Sequence, residues 1–377
     1  MTNKIKSNLL AILVFLTISA SAFAQATPAN DSVRWDENAS QWVYTLYNPN
    51  GNGQVEYLRY TPRTVIDPKV KSSLHWSNGN FEYSYRVRNG QRAKQEIKKM
   101  EVQAPVWNLQ PFVQLNVVPD ETQEQMQLRG KSYYAKFDKF EKETLDQPPK
   151  WEPFLRTKHP ERVYFGWYAR AGLDNDGIKP SHTTDGFKVT RSELPGASLM
   201  VMQGNTKDYM NAPNLPTEGA MAQHAAEVLA SNSLFVPVLI PAIIVPSPYN
   251  GAELARRVKT HVTTWINLGL IEPEKLAVLN PKLDQLIASL EQNNKQTIHT
   301  AAVNVLRETF IFHKNLHHAK IDSDDDHEEP QAINLEQVNS VVTMKVQSIE
   351  SLPLHRVAAR ALAFDVMYLL TRAYMGR

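Results

Sequence analysis

Between residues 35 and 203, apolar side chains recur at every second position, the period of a strand with one buried and one wet face. Trp42, Tyr44 and Leu46 alternate with Val43, Thr45 and Tyr47. Asn50-Gly51-Asn52-Gly53 then supplies residues that tolerate positive φ, and Val55, Tyr57 and Arg59 open a returning strand, so a β-hairpin is predicted. A second hairpin turns at Asn78-Gly79, with Phe81, Tyr83, Tyr85 and Val87 on one face and Glu82, Ser84, Arg86 and Arg88 on the other. Further strands are predicted at 100–104, 112–117, 133–137, 163–169, 187–190 and 199–203. Short strands without crossover helices favour an antiparallel β-sandwich over a parallel sheet. A proline-rich interruption at 139–160, holding Pro148, Pro149, Pro153 and Pro160, could split it into two subdomains.

The period changes at residues 234–251. This stretch is apolar, but Pro237, Pro241 and Pro246 each remove a backbone donor and fix φ, so it reads as extended chain packed between two layers. Beyond it the repeat is three and four. Asn250 to Glu253 has the form of a capping box, and Leu254, Val258, Val262, Trp265 and Ile266 follow at helical spacing up to Gly269. Asn280-Pro281 is expected to open a second helix carrying Leu283, Leu286, Ile287 and Leu290, and a third follows Asn293-Asn294 with Ile298 to Leu316. Residues 335–349 suit strand or helix, whereas 353–374 are helical with broad apolar coverage. The expected architecture is therefore α+β in two domains: residues 25–233 as β-sandwich, 234–251 as connector, and 252–377 as an α-helical bundle with an acidic loop at 322–329.

Residues 1–24 stand outside this pattern. Lys4 and Lys6 precede a short apolar run, and Ala22-Phe23-Ala24 has the small-x-small form of a signal-peptide cleavage site, so the chain is expected to be exported to the periplasm or beyond the cell. Loss of those two lysines from 41 basic residues leaves 39 against 39 acidic ones. Neutrality implies neither nucleic acid nor an anionic membrane as partner, and no transmembrane segment is expected in the mature chain. The chain holds no cysteine, which removes disulfides, thiol nucleophiles and thiolate metal sites together. The strand pattern of the first half resembles extracellular bacterial immunoglobulin-like modules, without a motif specific to one family. That resemblance implies an immunoglobulin-like sandwich.

Several residues could carry chemistry. His313 and His317 fall one helical turn apart, the spacing from which two imidazoles hold one zinc, with His318 beside them and Asp322 and Asp324 in the acidic loop as further candidate ligands. Lys314 stands where a zinc-protease helix carries its Glu. Asp322, Asp324 and Asp326 also match the opening of a calcium loop, but His327 and Ile333 occupy the positions of its Gly and bidentate acid. Asp174-Asn175-Asp176-Gly177 reads as an Asx-rich turn. Ser181, His182 and Asp185 are the residue types of a hydrolytic triad without a Gly-x-Ser-x-Gly elbow to present the serine. Asp365, among apolar residues, is expected to pair with Arg360 or Arg372.

Six of seven tryptophans precede residue 234. Most fall on core positions, while Trp35 and Trp76, near strand ends, are candidate ligand-binding residues on an aromatic platform. No cofactor is implied. The expected function is an exported, non-enzymatic binding or surface-scaffold protein with a protein or glycan partner. The alternatives are a divalent-metal-dependent hydrolase using the His313 and His317 cluster, and a carbohydrate-binding protein.

Overall fold

The structure, a computed structural model, describes residues 31–47, 53–77, 79–105, 122–159, 162–169, 177–204, 219–230, 233–310, 333–334 and 353–375. The first strands are β1 (Ser32–Asp36), β2 (Gln41–Tyr47), β3 (Val55–Tyr60), β4 (Pro68–Ser77), β5 (Asn80–Asn89) and β6 (Ile97–Pro105). Helix α1 (Gln123–Thr144) follows, then β7 (Leu145–Asp146), β8 (Trp151–His159), β9 (Arg162–Ala169), β10 (Thr183–Arg191) and β11 (Leu194–Gly204). The remainder holds α2 (Ala220–Ala230), β12 (Leu234–Ile243), α3 (Gly251–Thr264), α4 (Pro273–Glu291), α5 (Lys295–Phe310), β13 (Ile333–Asn334) and α6 (Arg356–Met375). The fold is mixed α/β with three antiparallel sheets.

Two compact units emerge, one from Met1–Pro62 with Thr206–Ala230, the other from Arg63–Asn205 with Ser231–Arg377. In the smaller, the hairpin of β2 and β3 forms as its alternation predicts and β1 completes a sheet ordered β1-β2-β3. Tyr44, Tyr60 and Ala225 of α2 are its buried cluster, and the Tyr44 hydroxyl meets His224 Nδ1 at 3.1 Å.

The larger unit contains a sheet ordered β4-β5-β10-β7 and another ordered β13-β12-β11-β6-β9-β8. Phe81, Tyr83, Tyr85 and Val87 all face inward on β5, and Trp151, Trp167 and Trp265 are buried, as core-facing positions should be. One continuous hydrophobic cluster joins both sheets to the helices after residue 250. Helices α3, α4, α5 and α6 pack in succession, α6 returns against α3, and α6 also lies on β11 and β12. The helices that sequence period assigns to a domain of their own thus share their core with strands that precede them. The two units divide the chain elsewhere than at 234–251.

Strand β12 explains how a proline-rich stretch enters a sheet. Its pairing with β11 sets Pro237 opposite Leu199 and Pro241 opposite Pro195. Between these prolines, Leu239 donates its N–H to Ser72 Oγ (3.2 Å) and accepts from the Tyr85 hydroxyl at its carbonyl (2.8 Å), so this parity of backbone groups points away from β11. A missing N–H costs nothing on that side, which is where proline is tolerated in a strand. The polar groups of Leu239 on that edge are satisfied by Ser72 and Tyr85 of the neighbouring sheet.

Two sequence expectations are corrected. Residues 133–137 lie inside α1, not in a strand. Thr122 and Gln125 form a reciprocal capping box that starts the helix, and aromatic clustering at Tyr133, Tyr134 and Phe137 imitates a strand only when read without that cap. The second helix of the C-terminal region starts at Pro273, and Pro281 falls inside it. Pro273 already supplies the favoured proline of the first turn, and packing of Leu276, Leu279, Leu283 and Leu286 carries the helix through the second proline. By contrast, Asn250 caps α3 as expected, accepting from the Glu253 N–H at 2.9 Å. No helix among the described residues is long and apolar enough to cross a membrane.

Candidate ligand-binding surface

Helix α6 is built from two interleaved patterns. Ala358, Ala361, Leu362, Asp365, Val366 and Leu369 are buried. A second stripe at spacing four, Arg356, Arg360, Phe364, Tyr368 and Arg372, reaches partial or full exposure. Three arginines and one acid, the buried Asp365, are the helix's only charged side chains.

The end of the hairpin of β4 and β5 lies beside this stripe. Pairing of Ser77 with Asn80 sets Trp76 opposite Phe81 across the ladder, and Gly79 at the turn adopts φ 80°. The indole stacks on the Phe81 ring at 6.3 Å with an interplanar angle of 27°. Phe81 meets Phe364 edge-on at 5.6 Å and Tyr368 at 6.4 Å. Arg372 continues the run, with its guanidinium 5.9 Å from the Tyr368 ring and 4.4 Å from that of Tyr249. At the other end, Arg360 donates to the Ser72 carbonyl at 3.2 Å. Trp76 remains 62% exposed, so one indole face is braced and the rest meets solvent.

Electrostatics below this surface follow from burial. The Asp365 carboxyl is pushed well above the usual range by desolvation, and its Oδ1 has no hydrogen-bond partner among the described residues. The expected ion pair is therefore corrected: Arg360 binds a strand carbonyl and Arg372 stacks between tyrosines, leaving a carboxyl for which desolvation favours the neutral form. Tyr83 is raised by burial first and by Asp365 second, and its hydroxyl donates to the Glu193 carbonyl at 2.7 Å. Burial also raises Tyr249, which the Arg372 charge opposes.

The other candidates separate. Trp35 packs edge-on against Trp42 at 5.1 Å in the smaller unit, whereas Trp76 belongs to the larger one. His313, His317, His318, Asp322 and Asp324 lie outside the described residues, as do Asp326, His327 and 174–176. Ser181 and His182 do not form a triad with Asp185: His182 Nδ1 engages the Pro180 carbonyl at 2.9 Å, and Asp185 pairs with Arg86 at 2.7 Å. His261 is buried with burial lowering it to about 4, and its imidazole occupies the space a Cβ on Gly196 would need. An open groove of about 390 Å³ between α4 and α5 presents amides and hydroxyls, among them Gln285, Ser289, Gln292, Gln296 and Thr300.

The platform was half legible in sequence. Trp76 stands out by its place before Asn78-Gly79, but the sequence offers Arg360 and Arg372 only as partners for Asp365, and nothing in it singles out Phe364 or Tyr368. Compared with known proteins, the chain matches no family model, no curated protein and no solved structure.

Proposed function

We propose that this chain is an exported, non-enzymatic binding or surface-scaffold protein that presents Trp76 to a carbohydrate. The observation that carries the reading is the indole itself, exposed on one side and held on the other by Phe81. A flat, rigid aromatic face offers the negative π-cloud to the polarised C–H bonds of a pyranose ring at little entropic cost. Export rests on the basic start, apolar run and Ala22-Phe23-Ala24 of the N-terminal sequence. Within this reading the two larger sheets are an immunoglobulin-like sandwich in their layering, and α3 to α6 are the helical bundle set on it.

A glycan array probed with the chain beginning at Gln25 tests the proposal. Retention of one or more glycans is expected, with loss of at least tenfold in Trp76→Ala while the thermal unfolding midpoint stays unchanged. An array that retains nothing, or a Trp76→Ala protein that binds as the original does, overturns it.

A further inference from the structure

We infer that the carbohydrate is acidic: a polysaccharide whose sugar ring stacks on Trp76 and whose carboxylates are held by Arg360 and Arg372. This rests on the carbohydrate reading of Trp76 and adds the charge of the ligand to it. Phe81 links the exposed indole to both Phe364 and Tyr368, so Trp76 lies alongside the middle of the α6 stripe. Arg360 is one turn before Phe364, and Arg372 one turn after Tyr368. The two arginines are therefore separated by about 18 Å along the helix, one on each side of the aromatic patch.

Charge complementarity selects the ligand. The only acid of α6 is Asp365, buried on the sheet side where desolvation favours its neutral form. The stripe consequently presents cations without a competing carboxylate on its own helix. Arg360 is held by the Ser72 carbonyl and Arg372 by the rings of Tyr249 and Tyr368, contacts that order each side chain without neutralising its charge. Guanidinium groups fixed in this way bind carboxylates through paired charge-assisted hydrogen bonds at a reduced entropic cost. An acidic peptide would satisfy the arginines alone, but it offers no ring for the open indole face. A uronate polymer matches both, since each sugar unit carries a stacking face and a carboxylate.

Titration calorimetry with the chain beginning at Gln25 separates the possibilities using three probes: a galacturonate hexamer, its fully methyl-esterified form, and hexaglutamate. The galacturonate hexamer is expected to bind at least tenfold more tightly than the ester, with affinity falling as salt rises. Hexaglutamate is expected not to bind. Trp76→Ala should abolish galacturonate binding, and the double variant Arg360→Gln with Arg372→Gln should reduce it to the level of the ester. Equal binding of acid and ester overturns the inference while leaving the carbohydrate reading intact. Hexaglutamate binding as tightly as galacturonate overturns it in favour of an acidic protein partner. If neither sugar binds but the glycan array retains a neutral glycan, the inference alone fails; if the array is also empty, both fail. The acid-to-ester comparison on the unaltered protein keeps the test decisive should the arginine variants not fold.

Discussion

At the scale of single residues, the clearest departure from sequence reasoning is Asp365. Arginines five residues before and seven after it made an ion pair the economical expectation, yet both guanidiniums are engaged elsewhere and the buried carboxyl has an oxygen with no partner among the described residues. Its folded pKa is raised above the ordinary 3.8, so its contribution to stability is full below that value and is lost as pH rises toward the folded pKa. Asp365→Asn removes this dependence. The melting temperature of the Asn variant minus that of the original protein is expected to grow as pH is raised from about 4 to about 8, reflecting about 1.4 kcal/mol for each unit of the upward shift. A difference that stays flat across that range would mean the carboxyl is ionised and partnered in solution. Spacing alone could not reveal this, because Arg360 and Arg372 stand five and seven residues from Asp365, outside the three- and four-residue spacing that makes helical neighbours, and tertiary partners decide where each long side chain goes.

Single elements were most legible where local chemistry starts or stops them. Asn250 receives the Glu253 N–H as its place before an apolar helical repeat requires. Asn250→Ala should lower unfolding free energy by about 1 kcal/mol in chemical denaturation, with Asn250→Ser restoring most of it; no loss on Ala substitution would show the cap to be dispensable. The hairpins were equally clear: the sequence Asn78-Gly79 predicts a turn, and the strands on either side pair with Trp76 opposite Phe81. Expectation failed at α1 and α4, where an isolated cue was given too much weight. Aromatic residues at 133–137 suggested strand, and Pro281 suggested a helix start, but Thr122 with Gln125 and the earlier Pro273 are the stronger boundaries.

Across the whole molecule, stability at low pH should be governed by groups held neutral in the larger unit. Burial lowers both His261 and His355 to about 4, with the Arg356 charge reinforcing the effect on His355. Each therefore contributes stability that is present above the ordinary value of 6.5 and is lost as pH falls through about 4. The protein is expected to lose stability steeply between these limits. His355→Asn, which retains an acceptor for the Val357 N–H, should make that loss shallower by up to 1.4 kcal/mol per pH unit in denaturant titrations. An unchanged slope would place His355 in water in the folded state.

The amino-acid order by itself determined the change of period near residue 234, most of the strands, the cap of α3, and the exposed candidate Trp76, because each depends on residues close together in the chain. Only tertiary structure decided that strands and later helices share one hydrophobic cluster, that Ser72 and Tyr85 complete the proline-bearing edge of β12, and that Phe81 joins Trp76 to the arginine-bearing face of α6. Those contacts link residues far apart in sequence, and burial of apolar surface is non-directional: it favours packing of every amphipathic face without specifying which other face will cover it.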